Sequence, residues 1–114
     1  MPNTRLRSSS RFRALVVALL VLAGTGSAVA GAPVVHRVTI SDMAFAAAPP
    51  KVVVGDTIEW VNLDVVIHTA TSDGVWDVTV AAGKSARAVM KRAGQFPYYC
   101  KFHPNMRGTI TVKK

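Results

Sequence analysis

Cys100 is the only cysteine in this chain of 114 residues, so no disulfide can staple the fold from within. That restriction weighs on a short chain, because a small domain buries a modest core and leans on added cross-links. A bound metal is the remaining staple, since metal–ligand bonds add directly to folding free energy. Cys100 stands in suitable company: the stretch Tyr98-Tyr99-Cys100-Lys101-Phe102-His103-Pro104-Asn105-Met106 sets a thiol, an imidazole and a thioether three residues apart. These are the soft and borderline donors that copper prefers.

The first thirty residues belong to a different problem. Arg5, Arg7, Arg11 and Arg13 precede an uncharged apolar run over Ala14–Ala23, and small residues lead to Ala28-Val29-Ala30. A basic start, a short apolar centre and an A-x-A end make up a secretory signal, with cleavage expected after Ala30. The rival reading is a retained membrane anchor. The stretch between Arg13 and Arg37 carries no charge and is long enough to span a bilayer, but Gly24, Gly26, Gly31 and Pro33 interrupt its second half. No Arg-Arg pair supports twin-arginine export, and no cysteine near the cleavage site offers a lipid anchor.

The organisation expected is thus a signal at 1–30 and one domain at 31–114, in a bacterial protein that is periplasmic or secreted. Removing the signal takes away four of the fourteen basic residues and none of the six acidic ones, so the formal charge falls from +8 to +4. With no basic run longer than Lys91-Arg92 or Lys113-Lys114, a nucleic-acid partner does not fit.

The remaining 84 residues read as short strands between turn signals. Val34–Ile40, Lys51–Val54, Thr57–Leu63, Val75–Val80, Ser85–Met90, Phe96–Cys100 and Gly108–Lys113 are rich in Val, Ile, Thr and aromatics. Gly55-Asp56, Asp73-Gly74, Gly83-Lys84 and Gly94 punctuate them. Ile58, Trp60 and Asn62 should share one face of their strand. The fold class expected is all-β, a Greek-key sandwich of about seven or eight antiparallel strands, with no substantial helix. Trp60 and Trp76 read as core residues.

Fast one-electron chemistry at copper needs a site that keeps its geometry between two oxidation states. A trigonal His2Cys set with a weak, long thioether meets that need. A loop at a strand end can bring Cys100, His103 and Met106 to one ion, and the second imidazole must come from elsewhere. Of the other two histidines, His36 sits in the first strand directly before Arg37. His68 sits in a loop after Thr57–Leu63, among Asp64, Val65, Val66 and Ile67. An apolar loop at a strand end is the better pocket, and His68 is selected. His36 reads as a surface strand residue.

The segments Val54-Gly55-Asp56-Thr57-Ile58-Glu59-Trp60-Val61-Asn62, His68-Thr69 and Tyr98 through Gly108 resemble the cupredoxins, the small blue copper proteins. The likeness spans about residues 34–113, and the short C-x-x-H-x-x-M loop is similar to that of the amicyanins. The resemblance implies one type 1 copper ion, with equatorial ligands His68, Cys100 and His103 and axial ligand Met106. It implies a monomeric carrier of single electrons rather than an enzyme. No membrane contact is implied after signal cleavage. Redox proteins are its expected partners, an amine dehydrogenase and a c-type cytochrome being the candidates. The electron would pass at the edge of His103, ringed by Phe102, Pro104 and Met43 or Phe45. Copper delivery without electron traffic is the alternative, although the chain has no Met-rich or His-rich tract. One departure stands out: Thr69 occupies the place where the family carries Asn, and its shorter hydroxyl should tie the ligand loops together more weakly.

Overall fold

A computed structural model describes Gly24 and residues 31–114, of which Gly31–Lys114 forms one compact unit. The rest of the expected export signal lies outside the described residues. Nine strands run along the unit: β1 Val35–Ser41, β2 Ala44–Phe45, β3 Val52–Val53, β4 Thr57–Asn62, β5 His68–Ser72, β6 Trp76–Val80, β7 Ser85–Val89, β8 Gly94–Tyr99 and β9 Arg107–Lys113. Among the described residues there is no helix.

The strands form two sheets, ordered β2-β1-β4-β7 and β3-β9-β8-β5-β6. Both are mixed rather than wholly antiparallel. β1 runs parallel to β4 and β3 runs parallel to β9, while the other pairs are antiparallel. The two parallel pairs depart from the all-antiparallel sandwich expected, because the residue pattern of a strand carries no sign of its neighbour's direction.

Why these segments become strands is visible in their alternation. In β9 Ile110 and Val112 turn inward while Thr109, Thr111 and Lys113 stay in water, the period-two pattern of a sheet with one wet face. In β4, Ile58, Trp60 and Asn62 are all fully buried, as the shared face requires. Trp60 lies within 6.0 Å of Trp76 and 5.7 Å of Tyr98, ring centre to ring centre, and anchors a core completed by Val38, Ile40, Val52, Ala70, Val80, Met90 and Ile110.

The opposite face of β4 is covered differently. Arg37, Glu59 and Arg87 stand in register across β1, β4 and β7. Arg37 Nε donates to Glu59 Oε1 at 2.9 Å and Arg87 Nε to Oε2 at 2.6 Å. Arg87, and after it Arg37, holds this carboxyl below its ordinary range.

One close approach fixes a glycine. A Cβ on Gly108 would lie 2.6 Å from the Tyr98 ring, which packs across it at the start of β9. The same ring meets Phe45 at 4.6 Å, centre to centre. Phe45 is therefore partly buried against the core and does not line the depression beside the ligand loop.

Candidate metal centre

Strand pairing decides which residues meet. β5 and β8 are antiparallel neighbours with Thr71 opposite Tyr99. The start of β5, His68, and the residue that follows β8, Cys100, therefore fall at the same end of the sheet. Cys100 opens a loop folded by two consecutive turns. His103 N–H donates to the Cys100 carbonyl at 3.3 Å, and Met106 N–H to the His103 carbonyl at 2.8 Å. Pro104 is the second residue of the latter turn, the position its fixed φ favours. Cys100 N–H then closes onto the Met106 carbonyl at 3.1 Å. Three backbone bonds thus hold the seven-residue segment as a compact cup at the sheet's end.

The three equatorial candidates converge. His68 Nδ1 and His103 Nδ1 are 3.2 Å apart, and Cys100 Sγ is 3.8 Å from the first and 3.6 Å from the second. For metal–nitrogen bonds of about 2.0 Å and a metal–thiolate bond of about 2.3 Å, trigonal geometry separates the nitrogens by about 3.5 Å and each from sulfur by about 3.7 Å. The observed spacings match one ion within a few tenths of an ångström. Both imidazoles aim the same nitrogen inward. Met106, 4% exposed at the loop's end, completes a His-Cys-His-Met arrangement.

His68 and Cys100 are fully buried, whereas His103 keeps an edge toward the surface. That edge borders a depression of about 300 Å3 lined by Met43, His103, Pro104, Asn105 and Met106. Of the residues expected to ring His103, Pro104 lies there, and of the alternatives Met43 and Phe45 it is Met43. Phe102 is exposed in the loop itself.

His68 is held from behind. Its Nε2 lies 2.8 Å from Asp64 Oδ2, and a carboxylate accepts, so Nε2 carries the proton and Nδ1 presents its lone pair. Asp64 has two further tasks. It accepts the backbone N–H groups of Asp42 at 2.8 Å and Met43 at 3.0 Å. These two residues adopt φ of 51° and 60°, a left-handed pair that the carboxylate compensates. The Met43 amide, and after it the His68 ring, keeps the Asp64 carboxyl below its usual range. Asn62, fully buried at the end of β4, orders the same loop. Its Oδ1 accepts Asp64 N–H at 2.9 Å, and its Nδ2 reaches the carbonyls of Val66 at 2.8 Å and Val80 at 3.0 Å.

Three sequence expectations need correction here. His68 does not sit in a loop but begins a strand, β5, whose five residues are all buried. Nor does the preceding apolar stretch wrap the imidazole: Val65, Val66 and Ile67 are 93%, 40% and 44% exposed. The pocket around His68 is made by Asp64, His103 and Cys100 instead. His36 is not a surface residue either. It is only 14% exposed and bonded through Nε2 to Asp56 at 2.8 Å, away from the ligand cluster.

Thr69 does more than its short side chain promised. Its backbone N–H donates to Cys100 Sγ at 3.3 Å, and its Oγ1 accepts Lys101 N–H at 2.9 Å. The two ligand-bearing segments are joined on both sides of the sulfur. Asp64, Asn62 and this double bridge were not found as site residues from the sequence. The one available signal was Asp64 at four residues before His68, a spacing that proves nothing without the turn between them.

Comparison with known proteins agrees with the geometry. A family model described as a cupredoxin-like domain matches residues 12–112. No curated protein sequence matches the chain. Among solved structures, amicyanin from Paracoccus versutus (Thiobacillus versutus) superposes with a TM-score of 0.60 at 27% identity, over 71% of this chain and 81% of that one. A reduced amicyanin variant gives 0.62 at 26% identity, over 69% and 82%. The Cu(I) form of another amicyanin variant gives 0.61 at 28% identity, over 75% and 86%. A four-donor cup on a two-sheet β-sandwich, a family model over most of the chain and these superpositions lead to one assignment: the chain belongs to the cupredoxins and is amicyanin-like.

Proposed function

We propose that this protein is a type 1 copper protein that shuttles single electrons between redox partners. The carrying observation is the mutual spacing of His68 Nδ1, Cys100 Sγ and His103 Nδ1, all within 4.8 Å of one another in a largely buried cluster. Copper, when bound, supplies the one-electron couple. The protein's part is to hold the donors still. Asp64 fixes the His68 ring, the Cys100–Met106 turns fix His103 and Met106, and Thr69 fixes the sulfur. A site whose ligands are already in place has little to reorganise when the charge changes. Copper held by His68, Cys100, His103 and Met106 would have no place left for a substrate, and an enzymatic role is not proposed.

The surface around the site supports this reading. Met43, Leu63, Val65, Phe102 and the edge of His103 lie on the ligand-bearing loops and their neighbours, and the four hydrophobic residues are each more than 40% exposed. A small apolar face suits brief encounters between redox proteins, which bury little area. We propose an amine dehydrogenase as donor and a c-type cytochrome as acceptor, and an exported, periplasmic location to which the N-terminal segment directs the chain.

The test is direct. Cu(II) added to the purified protein should give an intense charge-transfer band in the visible and a reversible one-electron couple. Cys100→Ser should abolish the band, while Met106→Leu should keep copper bound and shift the potential. A tightly bound but colourless Cu adduct, handed on to a chelator without redox cycling, would assign the protein to copper delivery instead.

A further inference from the structure

Thr69 is the residue that departs from the family pattern, and its hydroxyl is part of a larger closed circuit. Thr69 Oγ1 lies 2.9 Å from Thr71 Oγ1, and Thr71 Oγ1 donates to Asp77 Oδ1 at 2.8 Å. Asp77 Oδ2 accepts Lys101 Nζ at 2.7 Å, and Lys101 N–H returns to Thr69 Oγ1 at 2.9 Å. The polarity follows from one end. An ionised carboxylate only accepts, so the Thr71 proton points to Asp77, and the Thr69 proton must then point to Thr71. The Lys101 ammonium holds the Asp77 carboxyl below its usual range, which keeps that end an acceptor.

Sheet geometry explains why the ring can form. Thr69 and Thr71 alternate with Ala70, so both hydroxyls share the face opposite the core. Thr71 stands directly across from Asp77 on β6. The two threonines are 0% and 4% exposed, whereas the Lys101 and Asp77 side chains are 44% and 52% exposed. The surface ion pair alone contributes little. What it adds is direction, by orienting a buried chain of hydroxyls that ends beside the sulfur.

We propose that Thr71 and Asp77 are positioning residues of the metal centre, which hold Thr69 so that its N–H meets Cys100 Sγ and its Oγ1 meets the Lys101 amide. The ring does for this chain what a longer amide side chain would do from position 69. Its effect reaches the sulfur through the Thr69 peptide, because an N–H bonded to a thiolate withdraws charge from it and favours the reduced centre. This inference rests on the copper reading for its redox consequence, but not for the ring itself.

The experiment uses the full chain, metal-free and copper-loaded, as Thr71→Val, Thr71→Ser and Asp77→Ala. In the metal-free protein, amide exchange at Lys101 should quicken by about twofold to tenfold in Thr71→Val and Asp77→Ala, the range expected for one hydrogen bond. In the copper-loaded protein the same two variants should show a lower reduction potential, and Thr71→Ser should restore both values. Variants that merely melt earlier, with Lys101 exchange and potential at their wild-type values, overturn the proposal. If Thr71→Val fails to fold, Asp77→Ala, altered at a half-exposed position, decides by the same two readings. If copper gives no charge-transfer band, the copper reading fails, and the exchange measurement still judges the ring.

Discussion

Asp56 and Asp64 stand just before and just after β4, and they are wired alike. Asp56 accepts the backbone N–H groups of Val34 at 3.0 Å and Val53 at 3.1 Å, and the Nε2 of His36 at 2.8 Å. Asp64 accepts the N–H groups of Asp42 and Met43 and the Nε2 of His68. In each case one carboxylate gathers a crossing segment and a histidine around the end of the same strand. Only one of the two histidines joins the ligand cluster. The difference lies in what Nδ1 faces: a second imidazole and a thiol for His68, neither for His36. A carboxylate–imidazole pair is thus a general means of fixing a strand end. It becomes half of a metal site only where a second element delivers donors to the free nitrogen.

The sharpest way to break this comparison is to remove each imidazole in turn. His68→Ala should eliminate the visible band of the copper-loaded protein altogether. His36→Ala should keep the band at full intensity and only lower the melting temperature. Absorbance titration with Cu(II) reads both, and loss of the band in both variants would show that the two ends are not independent.

Asn62→Ala should come next. It removes a fully buried amide that holds the carbonyls of Val66, Val80 and Ala81 and the Asp64 N–H, so the metal-free protein should lose about 1–3 kcal/mol in denaturant unfolding. The band should also broaden as the Asp64 end loosens.

Acid sharpens the comparison from the other end. The Val34 amide, then His36 and the Val53 amide, pull the Asp56 carboxyl down from 3.8 to about 2. A depressed carboxyl contributes stability that is fully present above its unfolded value and disappears as pH falls through the folded one. The melting temperature of the metal-free protein should therefore drop between about pH 4 and pH 2. Asp56→Asn should flatten part of that slope. An unchanged slope would place the acid-sensitive group elsewhere, with Asp64, shifted in the same direction, the next to test.

Much of this was legible in the sequence, for identifiable reasons. The C-x-x-H-x-x-M spacing is local, so the cup could be read without knowing the fold. Strands with one wet face, such as β7 and β9, betray themselves by alternation. β5 did not, because His68-Thr69-Ala70-Thr71-Ser72 is buried throughout and lacks the β-branched aliphatics that mark a core strand. Parallel pairing of β1 with β4 leaves no pattern in either strand. The carboxylate hubs were invisible for a different reason, since most of their partners lie about twenty residues away. At position 69 the reach of the side chain is only half of the matter. The backbone had already brought Lys101 N–H to 2.9 Å of its oxygen, so no longer arm was required.

The order of strands has one more consequence, for life in a crowded solution. A sheet can be extended by any chain that finds an open row of N–H and C=O groups. Here two of the four sheet edges, β2 and β3, are only two residues long. The other two, β6 and β7, lie against each other across the open side of the sandwich. The proposed electron carrier would meet its partners by repeated collision, and so would have to touch and let go. It exposes apolar side chains for touching and offers little free backbone on which a second copy could zip itself into place.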